Sequence, residues 1–292
     1  MEIRSFHEPQ TGSWTHQLAD PVQRVAALID PVWVYDPVSG RTDEAFAANV
    51  LKEAESSGYR IQWLLETHAH ADHLTAAGWI RERTGAQIAC GRGIQAVQAN
   101  FARVFNTNLP GEDAVFDRLL VDGDTLELGD LMIRVMATPG HTSDGLTYRV
   151  GDAAFIGDTL FAPAAGTARC DFPGGDARTL YRSIRKLYEL PKDTRLFLCH
   201  DYPGERTEPV CTVTVAESMR DNVHVDEDTS EDAFMELREA RDSRLGLPRL
   251  ILPALQVNIL GGMPPAPDDN GVSYLRIPFN TSIEDLIGGD ST

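Results

Sequence analysis

A chain of 292 residues that is 42% hydrophobic and 24% charged has the balance of a globular protein with a sizeable core, which excludes the disordered and fibrous classes. Its 44 acidic residues against 26 Lys and Arg give a formal charge of −18, which speaks against a nucleic-acid partner, since phosphate contacts need clustered cations. The run MEIRSFHEPQTGSW has no apolar leader core, no stretch approaches the roughly 18–20 apolar residues of a membrane span, and the four cysteines lack CxxC spacing, so a cytoplasmic protein with reduced thiols and no membrane partner is expected.

In chain order, AALIDPVWVYDP is rich in Val, Ile and aromatic residues and is punctuated by Pro31 and Pro37, which predicts short strands. Thr42 and Asp43 offer an N-cap to an amphipathic helix carrying Phe46, Val50, Leu51 and Ala54 and stopped by Gly58. RIQWLLET then predicts a buried strand, HAHADH a loop at its C-terminal end, LTAAGWIRERTG a helix closed by Gly85, and AQIAC another strand. Asp122-Gly123 and Gly129-Asp130 mark turns between strand-like runs that end at His141. GLTYRV and AAFIGD add strands, the second closing on Asp158. Leu180, Ile184, Leu187 and Tyr188 follow helical spacing in ARTLYRSIRKLYEL, and TRLFLCH is a strand ending on His200. Beyond about residue 206 come an acidic helix-like run, AESMRDNVHVDEDTSEDAFMELREARDS, and a proline-rich run in which Leu250, Ile251, Leu255, Val257 and Ile259 need a surface to bury against. The expectation is a layered α/β catalytic domain over residues 1–205, with a C-terminal extension over 206–292 integral to the same domain.

Thr67-His68-Ala69-His70-Ala71-Asp72-His73 places three imidazoles and a carboxylate together at a strand end. Neutral imidazole offers a nitrogen lone pair and carboxylates offset a cation's charge, so this cluster points to a metal. Thr138-Pro139-Gly140-His141-Thr142 and Phe155-Ile156-Gly157-Asp158-Thr159 each deliver one further ligand after an apolar run, and Cys199-His200-Asp201-Tyr202 adds another. Cys170 and Cys199 read as small apolar fillers rather than nucleophiles.

The HAHADH loop, PGHT, GDT and HDY, in that order, resemble the metallo-β-lactamase superfamily up to about residue 205, which implies an αββα sandwich with the C-terminal extension packed on it. Within it, ETHAHADHLTAA, TPGHTSDGLTY and FIGDTLF with ARCDF and LCHDYPG are similar to the persulfide dioxygenases, iron enzymes related to glyoxalase II. PALQVNILGG resembles the bacterial branch often labelled β-lactamase-like hydrolase. The resemblance implies one Fe(II) per chain, held by His68, His141 and Asp158, and oxidation of glutathione persulfide by O2 to sulfite and glutathione. Two His and one carboxylate leave open positions that suit non-haem iron and O2.

His70, Asp72, His73 and His200 match positions that bind metal in dinuclear relatives, and all four are present. A glyoxalase II-type dinuclear thioester hydrolase, with zinc, is therefore the alternative, and a non-catalytic metal or sulfur sensor is the second. The dioxygenase reading rests on the surroundings, chiefly Arg169-Cys170-Asp171-Phe172. Asp171 and Asp201 are candidates to orient ligating imidazoles, and Tyr202 to donate a hydrogen bond to substrate. Arg169 and Arg220 are candidate substrate-binding residues, Arg220 through the carboxylates of glutathione. A homodimer is compatible with the chain.

Overall fold

The computed structural model describes residues 1–108, 115–201 and 208–288. The chain opens with β1 (Glu2–Glu8), β2 (Ser13–Asp20), β3 (Val25–Ile29), β4 (Val32–Asp36), β5 (Arg41–Asp43), α1 (Ala45–Ser56) and β6 (Arg60–Leu65). It continues with β7 (Leu74–Thr75), α2 (Ala77–Thr84), β8 (Gln87–Gly91), α3 (Ile94–Phe105), β9 (Arg118–Leu120), β10 (Thr125–Leu128), β11 (Leu131–Ala137), β12 (Leu146–Val150) and β13 (Ala153–Phe155). The remaining elements are α4 (Ala177–Tyr188), β14 (Arg195–Phe197), β15 (Thr212–Thr214), α5 (Val215–Asp221), α6 (Glu231–Asp242), α7 (Ile251–Asn258) and α8 (Ile283–Gly288).

Two six-stranded sheets carry the fold, one in the order β1-β2-β3-β6-β8-β9 and the other β10-β11-β12-β13-β14-β15. Alternation along each strand sends one face inward and one outward. Leu18, Ala27, Ile29, Trp63 and Leu65 of the first sheet meet Leu126, Ile133, Val135, Tyr148 and Phe155 of the second in a central core. Leu28, Ile61, Leu64 and Ile88, on the first sheet's other face, pack with Val50 and Leu51 of α1, Ile80 of α2, Phe101 of α3 and Leu255 of α7. Ala154, Leu196 and Val213, on the second sheet's other face, pack with Leu180, Ile184 and Leu187 of α4 and Phe234 of α6. The layers therefore run helix, sheet, sheet, helix, the αββα sandwich expected from the motifs. No described helix is long and apolar enough to cross a membrane.

Three local readings change. The N-cap of α1 is Glu44, whose side chain makes no capping hydrogen bond; Asp43 instead accepts the Ala45 N–H at 2.8 Å from the end of β5. Leu74 and Thr75 form β7 against β4 before α2 begins. The acidic run is two helices, because Asp226 accepts the Thr229 N–H and hydroxyl and Ser230 then caps α6 by accepting the Ala233 N–H.

Two buried imidazoles outside the ligand loops set an acid limit. His16 donates from Nε2 to the Leu198 carbonyl and accepts the Ser5 hydroxyl at Nδ1, each at 2.8 Å, and burial lowers its pKa to about 4. His224 accepts the Thr167 N–H and is held at about 4 by burial and by Arg241 and Arg238. Between pH 6.5 and 4 the unfolded chain binds more protons than the folded one, so stability falls as pH falls through that window. His16 alone should cost up to about 3 kcal/mol by pH 4. Urea midpoints of metal-free protein at pH 7 and 4.5 check this; equal midpoints would contradict it.

Candidate metal centre

The ligands sit where β6, β11, β13 and β14 end, at one edge of both sheets. Asp30, just after β3 and at φ 50°, accepts the Thr67 N–H at 2.8 Å, the Thr67 hydroxyl at 2.9 Å and His70 Nε2–H at 3.1 Å. The Thr67 oxygen in turn accepts from His68 Nδ1 at 3.0 Å, which fixes that ring with Nε2 turned to the centre. Asp144 accepts the Ala69 N–H at 2.8 Å. His141 donates from Nδ1 to the Arg169 carbonyl at 2.7 Å, which also presents Nε2. Gly157, at φ 53°, is required before Asp158: a Cβ there would stand 2.7 Å from the Thr67 hydroxyl.

His68 Nε2 and His141 Nε2 lie 3.8 and 3.7 Å from Asp158 Oδ2. These spacings are too long for hydrogen bonds and close to the roughly 3–3.5 Å between neighbouring ligands that each stand about 2.1 Å from one ion. Burial lowers the pKa of both imidazoles, so the nitrogens are neutral donors, and it raises Asp158 to about 6. A second group gathers beside them, with ligand atoms of His70, Asp72, His73 and His200 all within 4.8 Å of one another. His200 Nε2 is 3.2 Å from Asp72 Oδ2 and 3.4 Å from Asp158 Oδ1, so Asp158 joins the two groups. Ser13 Oγ stands 3.2 Å from Nδ1 of both His73 and His200 and fixes that pair. His73 Nε2 is buried with no hydrogen-bond partner among the described residues, as a metal ligand's donor atom would be in the absence of the ion. The donor set thus fits a metal.

His70 is held differently from the other imidazoles. Burial alone would lower its pKa, but Asp30 raises it well above the usual value, and Glu66 adds a second carboxylate at 3.5 Å. A small cavity lined by Thr67, His68, His141, Leu146, Ile156 and Asp158 opens on the first group. A larger one, lined by Phe105, Val115, Ile259, Met263 and Arg276, contains none of the ligands.

The other expected site residues are placed variously. Asp171 was expected to receive an imidazole N–H, but both its oxygens hold the Arg169 guanidinium at 2.6 Å, and the acceptor for His141 is the Arg169 backbone carbonyl. Arg169 also donates to the Gly246 carbonyl and lies over the Phe172 ring, which meets His141 edge-on, so its side chain braces the ARCDF segment rather than presenting free donors to substrate. Asp201 accepts the Val210 N–H at 2.6 Å. Arg220 is exposed at the end of α5, bonded to Asp221, and none of its described contacts reaches the ligand loops. Tyr202 lies outside the described residues. Asp30, Ser13, Asp144 and Asn258 are site-supporting residues that motif reading missed; only the placement of Asp30 in LIDP just after a strand, and of Asn258 in QVNILGG, gave any local signal.

Cys90, Cys170 and Cys199 are buried and Cys211 is half-buried. Burial raises Cys170 to about 12 and Cys199 well above the ordinary thiol value, so neither is a thiolate at neutral pH. Titration of native protein with a chromogenic disulfide should show one fast thiol, Cys211, and the other three only after unfolding. Two or more fast thiols would contradict the burial argument.

Comparison with known proteins agrees with the geometry. Residues 19–200 match the metallo-beta-lactamase superfamily. A probable metallo-hydrolase of Burkholderia pseudomallei is 49% identical, covering 96% of this chain and 99% of that one. The mitochondrial persulfide dioxygenase ETHE1 of Homo sapiens is 34% identical over 69% of each chain. The crystal structure of ETHE1 from Myxococcus xanthus superposes with a TM-score of 0.71 at 30% identity, covering 90% of this chain and all of that one. With the αββα sandwich and the clustered His and Asp ligands at its sheet edge, the chain belongs to the metallo-β-lactamase superfamily.

Proposed function

We propose that the protein is a persulfide dioxygenase that oxidises glutathione persulfide with O2 at one iron held by His68, His141 and Asp158. The observation that carries this reading is the three-residue group, two imidazole nitrogens facing one carboxylate, in a chain similar to persulfide dioxygenases. Such a ligand set leaves adjacent positions open. Iron(II) there would offer a place where the sulfane sulfur and O2 meet and would relay electrons from that sulfur to O2. The reaction balances as persulfide, O2 and water giving glutathione and sulfurous acid. The sulfane sulfur loses four electrons and O2 gains them.

The chain's own groups orient and enclose. Thr67 and the Arg169 carbonyl fix the rings of His68 and His141, while Phe172 against His141 and Phe161 against His200 place apolar surface beside the ligands. A second reading, a dinuclear thioester hydrolase, is favoured by one observation: His70, Asp72, His73 and His200 also converge. The test is an oxygen electrode with iron-loaded protein, glutathione persulfide and a sulfite assay, beside a thioester cleavage assay. O2 uptake matched by sulfite is expected. No uptake above the metal-free control, together with rapid thioester cleavage, would overturn the proposal.

A further inference from the structure

The run QVNILGG supplies no metal ligand, yet it reaches the ligand loop. Asn258, the last residue of α7, is 5% exposed and lies among buried groups. Its Nδ2 donates to the carbonyls of His70 and His73, each at 2.8 Å, and its Oδ1 accepts the Thr75 N–H at 2.8 Å. Three backbone groups on either side of Asp72 are therefore satisfied by one side chain from about 185 residues away. Residues 66–73 have no regular structure to supply those bonds, and the same loop carries His68. Aspartate at this position would lack both donors, and glutamine would carry the amide one methylene too far.

Two glycines fix the approach. A Cβ on Gly262, which has φ 84°, would stand 2.7 Å from the Gly78 nitrogen and 2.9 Å from the Thr75 oxygen. One on Gly78 would stand 2.8 Å from the Gly262 carbonyl. Backbone therefore meets backbone where the chain leaves α7, and Leu250, Ala254 and Val257 pack on Leu74, next to the loop.

We infer that Asn258 is a positioning residue of the metal centre, through which the C-terminal extension sets the geometry of the HAHADH loop and hence its metal affinity. The inference rests on the loop binding a metal, whichever reaction follows, so it stands or falls separately from persulfide oxidation. The test is Co(II) binding by competition with a chromophoric chelator, the visible absorption of the Co(II) protein, and the Tm of the metal-free form. Asn258→Leu should weaken Co(II) binding by about 10- to 100-fold, the range for groups that support ligands, and alter the Co(II) spectrum. Asn258→Asp, which keeps the acceptor for Thr75, should fold and show the same direction. Gly262→Ala, which keeps Asn258 but forces the backbones apart, should behave like Asn258→Leu. Leu255→Ala removes buried apolar atoms from the same helix, on the side that packs on the sheet core, and should lower Tm with affinity and spectrum unchanged. Unchanged affinity and spectrum in Asn258→Asp, or equal affinity loss in Leu255→Ala, would overturn the inference.

Discussion

Replacing His68, His141 or Asp158 with Ala should strip most of the metal and lower turnover by about 10³-fold or more. The magnitude follows from the several kcal/mol of transition-state stabilisation a metal supplies, at about 1.4 kcal/mol per tenfold in rate. Each residue contributes one of only three ligand atoms in the first group, so its loss leaves two. His73→Ala separates the readings. His73 stands in the second group, so a single-iron enzyme should keep most of its metal, whereas a dinuclear centre should lose one ion of two. Elemental analysis of anaerobically purified protein gives the count. One iron per wild-type chain with metal retained in His73→Ala is expected; two zinc ions per chain, with loss in all four variants, would transfer the assignment to the hydrolase.

The ligands were legible because they are local: HAHADH, PGH, GDT and HDY each place a donor directly after an apolar run, and strand periodicity fixes which end of the run it occupies. Their supports were not, because they are long-range contacts. Asp30 reaches Thr67 across 37 positions, Ser13 reaches His200 across 187 and Asn258 reaches His70 across 188, and nothing local to an isolated Asp, Ser or Asn declares its partner. The β1–β2 hairpin was hidden for a related reason. β2 buries Ser13, Thr15 and Gln17 on one face and His16 and Asp20 on the other, so no apolar–polar alternation marks it as a strand. By contrast, α3 carries Ile94, Val97, Phe101 and Val104 at helical spacing and is legible in principle. Arg169 shows the limit of reading a motif for chemistry: its charge is matched by Asp171 two residues on, and the atom that serves the centre is its backbone carbonyl.

Replacing Arg238 with Met should cost about 3–5 kcal/mol of stability, the usual result of leaving a buried charge without its partner. Arg238, in α6, is 2% exposed and paired with the buried Asp242 one turn on. Its Nη1 donates to the Thr167 carbonyl at 3.1 Å, and Asp242 accepts the Cys170 N–H at 2.9 Å. The pair therefore grips the segment on both sides of Arg169, whose carbonyl receives the His141 N–H. Removing Asp242 as well should recover part of the loss, because two matched apolar residues no longer bury a lone charge. Recovery should stop short of wild type, since the Cys170 N–H and Thr167 carbonyl lose partners worth about 1–3 kcal/mol. Urea unfolding of Arg238→Met, Asp242→Leu and the double variant, all metal-free, measures the cycle. A single-variant cost below about 1 kcal/mol would place the pair with solvent-screened surface bridges. A cost in the expected range, with weaker metal binding by Arg238→Met, would mean that α6 supports His141 through the Arg169 carbonyl.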